Sequence, residues 1–132
     1  PCVEYYANSF LEKNAVLTAF VTLKILLEHI DFALPLGKYA ITGYGRVSKE
    51  TVSLLKALSC DVTVFARNPS QREDAIIKGC NALPLSEFSD CANEFNVIIN
   101  TVPCQIISED TLKNINKNTK IITKWRISYG IS

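Results

Sequence analysis

The stretch from Lys38 to Ser48 constrains this chain more than any other part of the sequence. A short apolar run ends in Gly43-Tyr44-Gly45 and passes directly into a segment with helical periodicity. This pattern predicts a strand, a tight turn and a helix N-terminus that together hold a diphosphate. Gly43 can adopt the φ values that close such a turn, and Gly45, which lacks a Cβ, lets the backbone approach an anion. The free N–H groups and the positive end of the helix dipole point at the same place.

Residues around this turn favour the same interpretation. Ser48 stands where the dinucleotide fingerprint has its third glycine, and serine is small enough for a helix to pack closely on a strand. A second strand, Asp61 to Phe65, follows one crossover later. Arg46 and Lys49 fall in the first helical turn, where cations are unfavourable unless an anion is nearby, although solvated side chains explain them equally well. The alternative is a βαβ turn without a ligand.

A long helix is predicted before this unit, from Asn14, a suitable N-cap, to about Ile30. Its apolar residues recur at helical spacing and predict a buried face that includes Val16, Phe20, Leu23 and Leu27. Other apolar positions widen this face, so we expect the helix to lie between two layers. His29, the single histidine, is interpreted as a surface residue near the helix C-terminus.

Five strands that alternate with helices are predicted at 38–42, 61–65, 81–85, 97–100 and 120–123. Because crossovers are right-handed, the expected fold is α/β: a Rossmann-like, doubly wound parallel sheet in the order 3-2-1-4-5, preceded by one long helix. We expect residues 1–36 to be a helical segment that links from a substrate domain outside this sequence. Residues 37–123 form the NAD(P)-binding Rossmann domain, and 124–132 form an atypical tail.

The end of the second strand predicts the cofactor preference. NAD-preferring domains usually place Asp or Glu there to accept from the ribose 2′-OH, but no acid occurs between Val62 and Ser70. Arg67 stands instead where the 2′-phosphate of NADP would lie. Arg72 is a second candidate, and an ordinary loop arginine is the alternative. Asn68 is also predicted to cap the next helix, with Gln71 completing a capping box.

Ligands of such sheets bind at the carboxyl ends of the first and fourth strands, where the strand order reverses. The predicted cofactor-binding residues therefore surround one crevice: Gly43, Tyr44, Gly45, Arg46, Val47, Ala66, Arg67, Asn68, Asn100, Thr101, Val102 and Pro103. The sequence indicates no residue as a general acid or base, so the catalytic residues stay unassigned. Cys104 is interpreted as a small buried residue rather than a reactive thiol.

Length, charge and cysteine usage exclude several function classes. The chain has 132 residues and a net charge of +1, which suits one domain and gives no reason to expect nucleic acid or an anionic membrane as a partner. The apolar segment from Ala15 to Leu27 is interrupted by polar residues and is too short to span a bilayer. Five scattered cysteines and one histidine predict no metal site, and free thiols fit a reducing cytoplasm.

Four motifs, at matching intervals, resemble the dinucleotide-binding domain of the dipicolinate synthase A-subunit family. They are Asn14-Ala15-Val16-Leu17-Thr18-Ala19, Gly43-Tyr44-Gly45-Arg46-Val47, Phe65-Ala66-Arg67 and Ile98-Ile99-Asn100-Thr101-Val102-Pro103. The likeness runs from about Asn14 to Ile122. The last motif alone is not specific, since shikimate-dehydrogenase-like enzymes have similar turns.

The resemblance implies an NADP-linked oxidoreductase of spore-forming bacteria, with NAD as the alternative cofactor. Such an enzyme forms dipicolinate from a dihydrodipicolinate-type precursor, a small dicarboxylate, and works with a flavoprotein-like B subunit in the mother-cell cytoplasm. The resemblance also implies roles for the matching positions. The phosphate loop would be formed by Gly43, Gly45, Arg46 and Val47. Arg67 would make the adenosine-side contact, and Thr101 and Pro103 would form the nicotinamide-side loop.

The chain also departs from the family's pattern. The helix before the Rossmann unit usually reads Pro-Thr-Ala-Glu-Gly, whereas this chain has Leu17-Thr18-Ala19-Phe20-Val21, so Phe20 replaces a carboxylate. After the fifth strand, Thr123-Lys124-Trp125-Arg126 replaces the family's Asp-Leu-Ala-Ser. We therefore expect an inactive fragment of such an enzyme. The alternatives are a nucleotide-sensing module without chemistry and a structural protein with a vestigial glycine turn.

Overall fold

Helices and strands alternate along most of the chain in the computed structural model, which describes residues 3–4, 14–101, 111, 113, 115–123 and 126–129. The elements are β1 (Val3–Glu4), α1 (Ala15–His29), β2 (Lys38–Thr42), α2 (Arg46–Ala57), β3 (Asp61–Ala66), α3 (Pro69–Ile77), β4 (Asn81–Pro84), α4 (Phe88–Cys91), β5 (Val97–Asn100), β6 (Lys120–Thr123) and β7 (Arg126–Tyr129).

One sheet, ordered β1-β7-β6-β5-β2-β3-β4, forms the centre of the fold. The strands from β6 to β4 are all parallel, with Thr42 of β2 opposite Phe65 of β3 on one side and Asn100 of β5 on the other. The predicted order 3-2-1-4-5 of a doubly wound sheet is therefore confirmed. Two antiparallel strands, β7 and β1, extend the sheet beyond β6. The sequence did not predict them, because β1 has two residues and Arg126–Tyr129 lacks the consecutive apolar residues that mark β5 and β6.

Both faces of the sheet are covered, which explains why its central strands are continuously apolar. On one face, α1, α2 and α3 pack over a core that includes Ile25, Leu26, Tyr39, Ile41, Val52, Leu55, Val64, Ala75, Val97 and Ile99. On the other face, Phe65 contacts Phe88 and Phe95 edge to face, with ring centroids 5.3 and 5.7 Å apart.

The buried face of α1 differs from the predicted one. Val16, Phe20 and Leu27 are 50%, 52% and 53% exposed, so the prediction that they are buried is wrong. The core side of the helix carries Ala15, Thr18, Ala19, Thr22, Ile25 and Leu26 instead. Thr18 and Thr22 can be buried because each hydroxyl donates to a carbonyl one turn earlier, at 2.8 and 3.0 Å.

The predicted cap of α1 is confirmed, since Asn14 Oδ1 accepts from the Leu17 amide at 3.0 Å. Within the described residues, no helix has the length and apolar character needed to cross a bilayer. Cys60, Cys80 and Cys91 are free thiols, and burial raises the pKa of each. Cys104 lies outside the described residues.

Candidate dinucleotide-binding site

The turn between β2 and α2 has the backbone geometry that its two glycines allow. Gly43 has a φ of +91°, which L side chains rarely adopt, and its N–H donates to the Phe65 carbonyl at 2.7 Å. The turn is therefore attached to the neighbouring strand β3. The structure thus shows the reason for glycine at position 43 without any ligand.

At Gly45, by contrast, the backbone conformation does not require glycine. This residue is the N-cap of α2 with an ordinary φ of −88°, and a Cβ added to it would meet no atom within 4 Å. Neither backbone strain nor packing within the described chain requires glycine here. The first α-helical bond at this end runs from the Lys49 amide to the Gly45 carbonyl at 3.0 Å. The amides of residues 46–48 precede that bond, so they have no acceptor within the helix.

Hydrogen bonds between polar side chains join β2, α2 and β5 where the strand order reverses. Thr42 Oγ1 donates to Asn100 Oδ1 at 2.6 Å, and Thr101 Oγ1 donates to the Thr42 carbonyl at 2.8 Å. Ser48 Oγ lies 2.6 Å from Thr101 Oγ1, and because the threonine hydrogen is used on Thr42, Ser48 is the donor. Ser48 is fully buried, so the residue in place of the third glycine also bonds the helix to β5.

Asn100 and Thr101, which were predicted to line the nicotinamide side, lie next to the glycine turn. Val102 and Pro103, which were predicted to line the same side, lie outside the described residues. Thr42, Ser48, Asn100 and Thr101 are neutral side chains that bond one another. This part of the crevice therefore offers positioning groups, and the catalytic residues stay unassigned.

The loop after β3 is exposed at Arg67 and Asn68, whereas Ala66 is buried. Asn68 caps α3 as predicted, because its Oδ1 accepts from the Ser70 amide at 2.9 Å. One guanidinium nitrogen of Arg72 donates to the carbonyls of Ala66 and Arg67 at 2.8 and 3.0 Å, so this arginine supports the strand end. Arg67 is the more exposed of the two predicted 2′-phosphate contacts.

Tyr44 directs its side chain into the core rather than towards the open space beside Gly45. The residue is 3% exposed, and its hydroxyl donates to Asp74 Oδ2 at 2.6 Å. Burial raises the pKa of Tyr44, and the hydrogen bond from Tyr44 holds the pKa of Asp74 below its usual value. Only the backbone of Tyr44 is available to a ligand of the turn.

Gln71 does not complete the predicted capping box of α3. Its Nε2 donates to the Tyr44 carbonyl at 3.3 Å, and the described residues contain no bond from the Asn68 amide to its side chain. The capping-box prediction is therefore wrong, because a tertiary acceptor on the glycine turn takes this side chain. The sequence also did not indicate that Tyr44 and Asp74, which lie 30 residues apart, form a pair.

A cavity of about 540 Å³ lies elsewhere in the fold. It is lined by Lys38, Asp61 and Asn81, the first residues of three parallel strands, together with Cys91 and Phe95. The glycine turn follows the opposite, carboxyl end of β2. The cavity is therefore not part of the candidate site.

Comparison with known proteins agrees with this geometry, although no family model matches the sequence. The chain is 23% identical over 109 residues to the dipicolinate synthase A subunit of Bacillus subtilis (strain 168), a match over 83% of this chain and 37% of that protein. The fold is similar to the crystal structure of the dipicolinate synthase A subunit from Bacillus halodurans, with a TM-score of 0.80 and 25% identity over 83% of this chain and 38% of the other.

A second similar structure is acetophenone reductase from Geotrichum candidum, solved in complex with NAD. The TM-score is 0.68 and the identity is 25%, over 86% of this chain and 32% of the other. This chain spans well under half the length of each of these relatives. The resemblance predicted from the sequence is confirmed: the chain is a Rossmann dinucleotide-binding domain similar to that of the dipicolinate synthase A subunit.

Proposed function

We propose that this chain binds NADP between the carboxyl ends of β2 and β5, as the cofactor domain of an oxidoreductase. One observation carries the proposal: Gly45 caps α2 without a side chain, beside a space that a Cβ would enter without contact. A diphosphate in that space would accept from the amides of residues 46–48. It would also compensate the positive end of the helix dipole.

The remaining predicted residues would contact the two ends of a nicotinamide dinucleotide. Arg67 would contact the 2′-phosphate beside Ala66 and Asn68, since an arginine fork suits a phosphate and no acid precedes it on the loop. Asn100, Thr101, Val102 and Pro103 would line the nicotinamide side. Gly43, Tyr44, Arg46 and Val47 would contribute the turn and the start of α2. The NAD complex of the similar reductase supports this class of cofactor.

The bound cofactor would supply hydride transfer, and the chain would supply binding, orientation and exclusion of water. We propose that the whole enzyme forms dipicolinate from a dihydrodipicolinate-type dicarboxylate together with a flavoprotein-like B subunit, in the cytoplasm of a sporulating mother cell. The similarity to the A subunit of that synthase supports this proposal. Because the chain matches only 37% of that protein, we expect it to bind the cofactor without turnover.

Calorimetric titration of the purified chain with NADP, NAD and ADP tests the proposal. NADP should bind most tightly, and Arg67→Ala should weaken NADP about five- to hundredfold while it changes NAD little, because one charge-assisted contact is worth ~1–3 kcal/mol. Arg72→Ala is the comparison variant, since this side chain supports the strand end. A preference for NAD or ADP would favour a nucleotide-sensing module. Absence of binding would contradict the proposed function and favour a vestigial turn.

A further inference from the structure

Tyr44 connects the glycine turn to α3. Two cations lie over its buried ring, since Nζ of Lys49 and Nζ of Lys78 are each 5.6 Å from the ring centroid. Its hydroxyl donates to Asp74, and its carbonyl accepts from Gln71. Gln71 and Asp74 are three residues apart on α3 and lie on the same side of that helix. The backbone of the turn and its one large side chain are therefore both held by α3.

The same helix also holds the loop after β3. Asn68 caps α3 through the Ser70 amide, and Arg72 bonds the carbonyls of Ala66 and Arg67. Consequently α3 makes hydrogen bonds to the diphosphate turn and to the loop proposed to contact the adenosine ribose. A movement of the turn relative to that loop would break the Tyr44 or Gln71 bond.

We propose that Tyr44 is a positioning residue for dinucleotide binding, which holds the diphosphate turn in register with the adenosine-side loop through Asp74 of α3. This inference rests on the proposed function. A turn that is already ordered presents converging N–H groups, whereas a mobile turn must be ordered by the ligand at a cost in affinity. Tyr44 thus acts through the backbone of residues 43–46 and does not contact the cofactor itself.

Tyr39 provides a matched control. It is fully buried, and its hydroxyl donates to the Leu34 carbonyl at 2.6 Å, the same distance as in the Tyr44–Asp74 bond. Tyr39 lies near the start of β2, whereas Tyr44 follows its end. Tyr39→Phe and Tyr44→Phe each remove one hydroxyl and keep a buried ring. The pair therefore compares a hydroxyl next to the glycine turn with one at the other end of β2.

Two measurements on these variants test the proposal. In calorimetry, Tyr44→Phe should weaken ADP and NADP binding about three- to tenfold, the value of one hydrogen bond, and Tyr39→Phe should leave both affinities unchanged. In amide hydrogen exchange without nucleotide, the Gly43 N–H, which donates to Phe65, should exchange faster by a similar factor in Tyr44→Phe only. Each exchange rate is corrected for the change in the free energy of global unfolding of that variant. Asp74→Asn, which keeps an acceptor oxygen, should retain most of the affinity that Asp74→Ala loses.

Unchanged Gly43 exchange in Tyr44→Phe, or equal affinity losses in the two phenylalanine variants, would overturn the proposal. Failure of the unaltered chain to bind ADP and NADP would contradict the proposed function instead. The exchange comparison still decides whether Tyr44 orders the turn in that case, because it needs no nucleotide.

Discussion

The helices α2 and α3 follow neighbouring parallel strands and begin at the same edge of the sheet, yet they begin differently. At α3, the side chain of Asn68 accepts from the Ser70 amide at 2.9 Å, and Pro69 fills the first helical position. At α2, the cap is Gly45, which has no side chain to accept from any amide. The fold places the two ends alike, so topology does not account for the difference.

Under the proposed function, this difference identifies the start of α2 as the end that binds the diphosphate. A capping side chain would fit at position 45, since φ is ordinary and a Cβ would contact nothing within 4 Å. The chain therefore forgoes a cap that is worth a few tenths of a kcal/mol over glycine. α1, the helix that precedes β2, is also capped by a side chain, that of Asn14. Of these three helices, α2 is the one whose N-cap provides no side-chain acceptor.

The largest expected change in NADP affinity comes from a substitution at position 45 that gives α2 a capping side chain. Gly45→Asp should lower NADP affinity about a hundredfold or more, because the carboxylate occupies the open space and repels the diphosphate. The free protein should gain a few tenths to about 1 kcal/mol from the cap and the helix dipole. Calorimetry and urea unfolding measure the two effects. A variant that loses stability but keeps its affinity would contradict this account of Gly45.

Two of the described glycines have a positive φ, and their variants should separate an effect on stability from an effect on binding. Gly43 and Gly79, with φ of +91° and +95°, should each lose about 1–3 kcal/mol of stability when changed to alanine. Gly43→Ala should also weaken NADP binding, because Gly43 closes the turn, whereas Gly79→Ala at the end of α3 should not. Urea unfolding with parallel nucleotide titration tests the pair. Equal affinities in the two variants would show that the Gly43 conformation does not matter for binding.

Removing the cap of α3 should have a smaller effect, confined mainly to stability. Asn68→Ala should cost about 1 kcal/mol, and Asn14→Ala at α1 should cost a similar amount, since each side chain accepts from a helix amide. The measurement is the midpoint of urea unfolding of each variant, compared at constant m-value. No loss of stability in Asn68→Ala would mean that α3 does not depend on its cap, and the contrast with α2 would lose its basis.

The smallest expected effect concerns pH. The Tyr44 hydrogen bond lowers the pKa of Asp74 below its ordinary 3.8, so its stabilisation is present above that value and is lost as pH falls through the lowered pKa. Tyr44→Phe should therefore lose less stability than the unaltered chain as pH falls below 3.8, whereas Tyr39→Phe should keep the slope of the unaltered chain. Identical slopes in all three proteins would show that this hydrogen bond does not set the titration of Asp74.

The parts of the fold that depend on local chemistry were predictable from sequence. The glycine turn, the Asn14 and Asn68 caps and the apolar strands each have a local physical cause, and the parallel order follows from them. The inward face of α1 was not predictable, because contact with α2 and β6 decides which of its many apolar stripes is covered. The tyrosine–aspartate pair and the Gln71 bond depend on tertiary proximity, which a sequence does not display.

Titration of the isotopically labelled chain with inorganic pyrophosphate, followed by backbone amide resonances, tests the central claim most directly. Pyrophosphate carries the diphosphate without adenosine or nicotinamide, so it reports on the helix ends alone. We predict that the amides of residues 45–48 at the start of α2 shift, while the Ser70 amide, already bonded to Asn68, does not. Shifts of equal size at both helix ends, or no shift at α2, would contradict the claim that the uncapped N-terminus is the diphosphate site.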